Sequence, residues 1–309
     1  MLKNLDERFK KGKQDKSFRR INSKHPIDIF VGYNDQGQAT LTIKEKSNKE
    51  NNLESTKYIV ATIYKNENKT TYLTFNLLDD SMYSIFLRFC EDVITNSKNI
   101  SKQNSIDFVI RRWSSWKKIF KNQRLSILSE KEIMGLIGEL IFLKNNSIPK
   151  FGENIGIESW QGSSKTSKDF ELINTWYEIK TKSRTTSTIT ISSIDQLDSH
   201  IIGYLVVNTL EKSNSTSNRS ISLNKLIKEI ENGINLFENK LKFRDKILEC
   251  GYFENEEYDK YNFKLLSTDF YKISNDFPKV KKNSLDKGIV DVSYKIVIDS
   301  IKEYLDRGI

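Results

Sequence analysis

Asp169, Glu178 and Lys180 are the residues whose types and spacing most clearly predict chemistry in this sequence. Asp169 begins a short β-like segment, 169–173, and the other two lie on a second one, 176–181, after an Asn-Thr turn. A hairpin with a tight turn would bring Asp169 beside the far end of the second strand. Because side chains two positions apart on a strand share one face, the three charged groups would meet there.

This cluster predicts metal-dependent hydrolysis of a phosphodiester. Two carboxylates held close together repel one another, and a divalent cation relieves that repulsion. Oxygen ligands favour Mg²⁺ or Mn²⁺ over Zn²⁺. A bound metal ion polarises the phosphate and lowers the pKa of a bound water molecule, which becomes the nucleophile. A lysine nearby orients that water or stabilises charge in the transition state. Asp169 and Glu178 are therefore the expected metal ligands and Lys180 the catalytic cation.

The same spacing also fits an ordinary charged hairpin, whose cross-strand ion pairs contribute under about 1 kcal/mol. The flanking segments favour the catalytic interpretation. An apolar helix expected over 133–145 precedes the hairpin, with Ser129 as its N-cap and a glutamate three positions beyond it. Glu139 lies inside the apolar part of that helix, where a carboxylate is costly unless something pairs with it.

Composition excludes several other chemistries. The chain has two histidines, His25 and His200, and two cysteines, Cys90 and Cys250, too few for a histidine-rich zinc site. A Ser-His-Asp hydrolase is a poor candidate for the same reason.

No run approaches the roughly 18 apolar residues that cross a bilayer, and residues 1–8 lack the apolar core of a signal peptide. We expect a cytoplasmic protein without a membrane partner.

The charge balance favours a polyanionic partner, nucleic acid before membrane. The net charge is +9 and the pI about 9.2, although a Lys- and Asn-rich composition produces the same balance without any such partner. Arg111, Arg112 and Lys117 are interleaved with tryptophans in 106–120, which fits a surface that contacts phosphates and stacks bases. The alternative is a helix that buries its tryptophans while its cations reach solvent.

A second set of cations lies close to the hairpin in sequence. Lys165, Lys182 and Arg184 are placed to bind phosphates of a substrate beside the proposed centre. They fit equally well as the solvated ends of strands. The residues themselves leave these two interpretations open.

A chain of 309 residues is long for one compact core, so two domains are expected. Residues 1–20 carry many charges and almost no apolar period, which predicts a flexible basic arm or a frayed helix. A β-rich lobe with one or two helices is expected over 21–125. The nuclease domain would occupy 126–309 and end in a C-terminal helical extension. Within it, the apolar run 201–207 is typical of a buried central strand.

The order of motifs resembles the PD-(D/E)xK phosphodiesterase superfamily, and more narrowly a bacterial branch of restriction-endonuclease-like proteins found among phage-defence genes. The likeness is carried by Gly138-Glu139-Leu140, Lys168-Asp169-Phe170-Glu171, Glu178-Ile179-Lys180-Thr181 and Ser192-Ser193 with Gln196-Leu197. It implies an α/β fold with an αβββαβ core, a mixed central sheet flanked by helices. An N-terminal β-rich α+β lobe would precede that core.

The resemblance also assigns residue roles. It makes Glu139 an auxiliary metal ligand, with Asp169 and Glu178 as the main ligands. Gln196, at the start of the helix expected after the third strand, would position the phosphate or the water. Lys168 stands where the superfamily name has proline, and we expect it to contact the nucleic-acid backbone.

On these grounds the sequence predicts a Mg²⁺-dependent endonuclease, with Mn²⁺ as a substitute, that cuts DNA in bacterial restriction or anti-phage defence. An inactive nucleic-acid-binding subunit and a structural protein are the alternatives. Cutting both strands would be easiest for a homodimer, and a helicase or methyltransferase of the same system is a candidate partner. The sequence leaves DNA against RNA open.

Overall fold

The computed structural model describes residues 2–15, 17–47, 53–121, 127–162, 167–215, 217 and 219–306. These residues fall into two compact units, one within 1–126 and the other within 127–309. No helix in the described ranges is both long enough and apolar enough to cross a membrane.

The first unit is a five-stranded antiparallel sheet with helices, in the strand order β1-β2-β3-β5-β4. Its strands are β1 (Arg19–Arg20), β2 (Asp28–Tyr33), β3 (Ala39–Lys46), β4 (Ile59–Lys65) and β5 (Thr70–Leu77), and its helices are α1 (Leu2–Asp15), α2 (Tyr83–Asn96) and α3 (Ser105–Lys121). Alternation along the strands buries one face, where Leu41, Leu73 and Phe75 are inaccessible to solvent. The β-rich α+β lobe expected at the N-terminal end of the fold is confirmed.

Residues 1–20 do not form the flexible basic arm that the sequence predicted. Most of them form α1, in which Leu5 and Phe9 are buried. The Phe9 ring packs edge-on against Phe86 of α2, with ring centroids 5.9 Å apart. The flexible-arm alternative was wrong because two apolar residues four positions apart suffice to anchor a short helix, and the surrounding lysines obscured them.

The second unit is built on a four-stranded mixed sheet in the order β10-β9-β7-β6. The strands of the unit are β6 (Phe170–Glu171), β7 (Trp176–Ser183), β8 (Thr188–Ile191), β9 (Gly203–Lys212), β10 (Phe263–Ile273) and β11 (Tyr294–Val297). Its helices are α4 (Glu130–Phe142), α5 (Ile148–Phe151), α6 (Glu153–Ser159), α7 (Leu223–Gly233) and α8 (Phe237–Glu249). Strands β7 and β9 run parallel and the other two pairs antiparallel. The predicted mixed α/β fold is confirmed.

Three details differ from the predicted core. Strand β8 leaves the central sheet and pairs with β11. The helix expected after it is only a 3-10 turn, Ile194–Gln196, because the Gln196 side chain accepts a hydrogen bond from the Ser192 N–H and closes the chain tightly. The C-terminal extension is not wholly helical, since β10 and β11 follow α7 and α8.

Helix α4 covers one face of the central sheet and begins as the sequence predicted. Ser129 and Glu132 form a capping box, in which each side chain accepts a hydrogen bond from the other residue's backbone N–H. The buried face of the helix includes Ile137 and Leu140, which belong to the same core cluster as Tyr177 of β7. This packing holds the helix against the strand that carries the charged residues.

Candidate active site

The open edge of β7 is where the site begins. Strand β6 pairs only with the first two residues of β7, Trp176 and Tyr177, so the edge beyond them has no strand partner. Asp169, the residue before β6, fills the first vacant position: its Oδ2 accepts a hydrogen bond from the Ile179 N–H at 2.7 Å. The short hairpin therefore places the Asp169 carboxylate beside the middle of β7, next to Glu178.

Glu178 is the most deeply buried charged group of the site, with 1% of its side chain exposed. Its Oε1 lies 2.7 Å from the Lys180 Nζ, which donates a hydrogen bond to it. Its Oε2 is buried and accepts no hydrogen bond from any residue that the structure describes. Burial, together with the negative charge of Asp169, raises the pKa of Glu178 to about 8, although the nearby ammonium of Lys180 opposes the shift.

Gln196 joins this pair from the turn after β8. Its Oε1 accepts hydrogen bonds from the Lys180 Nζ at 3.2 Å and from the Ser192 N–H at 2.7 Å. The Lys180 ammonium is thus held between a carboxylate on its own strand and an amide on the turn. The structure brings together the four residues for which the sequence predicted catalytic roles.

Glu139 approaches the same region from α4. Its Oε2 accepts a hydrogen bond from the Trp160 Nε1 at 2.7 Å. Burial and the negative charge of Asp169 raise the pKa of Glu139 well above its ordinary value. Burial also raises the pKa of Asp169, against the opposing influences of Lys180 and the Ile179 N–H. The negative charge of Asp169 therefore disfavours ionisation of both Glu139 and Glu178 in a poorly solvated region.

Comparison with known protein families found a matching family model. The family model described as "Putative PD-(D/E)XK family member, (DUF4420)" matches residues 3–299. The chain belongs to this PD-(D/E)XK family. A search of curated proteins and a search of solved structures each found no match.

Membership of the PD-(D/E)XK family assigns a nuclease-like function to the chain, because proteins of this superfamily are typically nucleases that use a divalent metal ion such as Mg²⁺. The predicted superfamily resemblance is thereby confirmed. The matched range includes every residue for which a role in catalysis was predicted.

The carboxylates fit a metal ion, but not in the predicted three-ligand arrangement. Within the described part of the chain, no three His, Cys, Asp or Glu side chains are grouped to hold a metal ion. One oxygen of Glu139 accepts the hydrogen bond from the Trp160 Nε1. Glu178 and Asp169 remain a suitable pair, because one or two carboxylates, with water and substrate oxygens, are the usual protein contribution to a Mg²⁺ site. The partnerless Glu178 Oε2 is the oxygen that such an ion would satisfy.

Lys168 does not face a nucleic-acid backbone as predicted. The side chain is buried, with 7% of the residue exposed. Its Nζ donates to the carbonyl oxygens of Asp195 and, at 3.4 Å, Asp198, and lies 3.9 Å from the centroid of the Trp176 ring. Burial lowers the pKa of Lys168 to about 8. The prediction was wrong because the carbonyls that bind the ammonium come from a distant turn.

The other cations near the site differ in their surroundings. Lys182 follows Lys180 by two positions on β7 and is half-buried. Arg184 is exposed, and its guanidinium donates to Glu211 at 2.9 Å. Lys165, also predicted to bind phosphate, lies outside the described residues.

The basic helix of the first unit also departs from its prediction. Arg112 is buried and makes two hydrogen bonds with the Asp92 carboxylate, at 2.7 and 2.8 Å. Lys117 lies 2.7 Å from Glu54, and both tryptophans of the helix are buried. The alternative of a helix with buried tryptophans is therefore correct. Of the three cations of this helix that were predicted to bind phosphate, all within the described residues, Arg111 is exposed, Lys117 half-buried and Arg112 buried.

Two residues important to the site had no predicted function. Trp160 lies in the buried core, and its indole N–H donates a hydrogen bond to Glu139. Gly138 lies at the closest approach of α4 to the sheet, where its carbonyl oxygen accepts a hydrogen bond from the Asn208 Nδ2 at 3.2 Å. A glycine in the middle of an apolar helix was the available signal for close packing.

Proposed function

We propose that this chain is a metal-dependent endonuclease that hydrolyses phosphodiester bonds in DNA, acting in bacterial restriction or anti-phage defence. The observation that carries the proposal is the Glu178 Oε2, a buried carboxylate oxygen without a hydrogen-bond partner among the described residues. It lies in a group already destabilised by the neighbouring charge of Asp169. Such an orphaned acceptor is costly unless a ligand satisfies it.

The division of roles follows from the chemistry of each side chain. A bound Mg²⁺ would polarise the scissile phosphate and lower the pKa of a water molecule. Asp169 and Glu178 would hold it through their oxygens. Lys180 would present an ammonium to the attacking water or to the developing negative charge. Gln196, which accepts a hydrogen bond from the Lys180 Nζ, would restrict the directions in which that ammonium can point.

DNA is the proposed substrate because the chain is strongly basic and because Lys182 and Arg184 follow the proposed centre on and just beyond β7. The defence role rests on the resemblance of the motifs to the phage-defence branch. A homodimer would supply two centres for cutting both strands. A helicase or methyltransferase of the same system remains the proposed protein partner.

The test is cleavage by the purified chain. Phage and plasmid DNA, each with and without base modification, would be incubated with the protein in Mg²⁺, Mn²⁺ or chelator, and a matched RNA would be included. We expect DNA cutting with either metal, no cutting in chelator, and no cutting by Asp169→Asn. Asp286→Asn, the same substitution at an exposed residue, serves as the control and should cut like the wild type.

Two outcomes would reject the proposal. Salt-sensitive DNA binding without cutting of any substrate would favour the inactive nucleic-acid-binding subunit. Equal cutting by the wild type and Asp169→Asn would point to a contaminating nuclease. Light scattering on the same samples would measure whether the active species is a dimer.

A further inference from the structure

We infer that Lys168 is a positioning residue of the active site, which fixes the turn that carries Gln196 and thereby sets the direction of the Lys180 ammonium. The catalytic consequence of this role rests on the proposed nuclease function. The positioning itself rests on contacts within the second unit.

The first contact is between the Lys168 ammonium and the turn. A buried ammonium needs hydrogen-bond acceptors or an aromatic ring to replace water. Here the acceptors are the backbone carbonyls of Asp195 and Asp198, which lie within and just after the Ile194–Gln196 turn. The Lys168 side chain thus binds one carbonyl before Gln196 and one carbonyl after it.

The second contact fixes Lys168 itself. Its ammonium lies over the ring of Trp176, the first residue of β7. The Trp176 Nε1 donates to the Ile201 carbonyl at 3.0 Å. Gly203, the residue opposite on β9, leaves space for the indole, since any Cβ there would overlap the ring. The indole of Trp176 is therefore fixed in place and restricts the position of the Lys168 ammonium.

The third contact passes the constraint to the catalytic lysine. Gln196 follows Asp195 directly, and its Oε1 accepts hydrogen bonds from both the Lys180 Nζ and the Ser192 N–H. If the Asp195 and Asp198 carbonyls lose their shared donor, the turn is held less firmly, because it then depends on the hydrogen bonds of Ile194 with Asp291 and of Asp198 with the Lys282 N–H. Gln196 would gain freedom to shift with the turn. Lys180 would then keep Glu178 as its partner but lose its second point of attachment.

Hydrogen exchange on the full chain, without metal or DNA, tests the positioning. In Lys168→Met the side chain still packs on Trp176 but cannot donate to the carbonyls. We expect the amides of residues 192–198 to exchange at least about tenfold faster than in the wild type, while those of β9 are unchanged. Lys295→Met, the same substitution at an exposed lysine of β11, is the control and should alter neither segment.

Two exchange results would overturn the positioning role. One is a wild-type rate over 192–198 in Lys168→Met, or a uniform increase across the whole unit. The other needs no variant: if the Ser192 amide of the wild type exchanges at the unprotected rate, the turn is not fixed at all. The second result keeps the inference testable even if Lys168→Met does not fold.

A double-mutant cycle tests the catalytic consequence. Single-turnover cleavage in Mg²⁺ would be measured for Lys168→Met, Gln196→Ala and the double variant, and DNA affinity in Ca²⁺. Each single variant should cut about 10- to 100-fold more slowly, and the double variant no more slowly than the worse single one, because both act through Lys180. If the loss of cleavage rate in the double variant equals the product of the two single losses, Lys168 and Gln196 act independently, and the inferred effect of Lys168 through Gln196 on Lys180 would be overturned. If the wild type cuts nothing, the proposed function fails, while the exchange result still decides the positioning.

Discussion

Gly138 of α4 lies directly against Thr181 of β7, so closely that a Cβ atom at Gly138 would overlap the Thr181 Oγ1. The Thr181 hydroxyl is buried and, within the described ranges, has no hydrogen-bond partner. This approach of helix to strand brings Glu139, the next residue along α4, toward the carboxylates of the sheet. The spacing of the site therefore depends on the absence of one side chain.

Gly138→Ala should accordingly destabilise the protein by about 1–3 kcal/mol, the usual range for overpacking a filled core. Denaturant unfolding would measure the loss. Thr181→Ala removes the overlapping oxygen, so the double variant should recover most of the stability lost in Gly138→Ala. Purely additive changes in the free energy of unfolding would show that the two side chains do not compete for the same space.

The raised pKa of Glu178 predicts how stability depends on pH. In the unfolded chain Glu178 loses its proton near its ordinary pKa of 4.5, but in the folded protein only near about 8. Between these values the folded state holds one more proton than the unfolded state at this residue. The contribution of Glu178 to the free energy of unfolding is therefore largest below pH 4.5 and falls as pH rises toward 8.

Glu178→Gln removes that titration and gives the measurement a direct comparison. In the presence of chelator, the variant should gain stability over the wild type progressively between about pH 4.5 and 8, and the difference should level off above that. The comparison between variants cancels the titration of groups that do not interact with Glu178; Asp169, Lys168 and Lys180 are the neighbours whose charges act on it. Parallel curves over this range would contradict the assigned pKa.

Metal binding should depend on pH for the same reason, since a protonated carboxyl is a poor ligand. We expect calorimetry to detect weak Mn²⁺ or Mg²⁺ binding that strengthens from pH 6.5 to 8.5. Binding should tighten further with DNA, because phosphate oxygens complete the ligand set. Asp169→Asn should bind the metal more weakly at every pH. Equal binding by this variant and the wild type would remove Asp169 from the ligand set.

Substitutions of Asp169 and Lys180 should slow the cleavage of DNA without weakening DNA binding or, for Lys180, metal binding. Asp169→Ala should abolish cleavage while DNA affinity in Ca²⁺ stays unchanged or rises, because a negative charge near the phosphate is removed. Lys180→Ala should slow cleavage by about 100-fold or more and retain metal binding. Lys180→Arg should not restore the rate, since a planar guanidinium differs in shape from a compact ammonium. If Lys180→Ala cut at the wild-type rate, Asp169, Glu178 and Lys180 would be the charged residues of an ordinary hairpin without a catalytic role.

Arg111 and Arg112 are adjacent on α3, but their replacement by alanine should have different effects on the stability of the protein. Arg112→Ala leaves the Asp92 carboxylate without its ion-pair partner and should destabilise the protein by about 3–5 kcal/mol. Arg111→Ala changes an exposed side chain and should leave stability nearly unaltered. If the N-terminal unit contacts DNA through Arg111, that variant should show a shallower dependence of binding on salt. A stable Arg112→Ala protein would contradict the buried ion pair.

Local pattern in the sequence was sufficient for several parts of the site. The capping signal at Ser129 and the apolar period beyond it predicted α4, and the tight turn before Trp176 predicted the hairpin that places Asp169 beside Glu178. The apolar run at 201–207 predicted the central strand β9. These predictions succeed because backbone geometry links residues only a few positions apart, so spacing alone determines which side chains share a face.

The partners of the individual charges were decided by tertiary structure alone. Lys168 binds a carbonyl 27 positions away, Arg112 a carboxylate 20 positions away, and Glu139 an indole 21 positions away. From the sequence, Lys168 was expected to contact a nucleic-acid backbone, Arg112 to contact phosphates or reach solvent, and Glu139 to bind a metal ion. Burial decides between the roles, because a charge removed from water must find a specific partner. Which partner is within reach depends on how distant segments pack, and no local spacing encodes that.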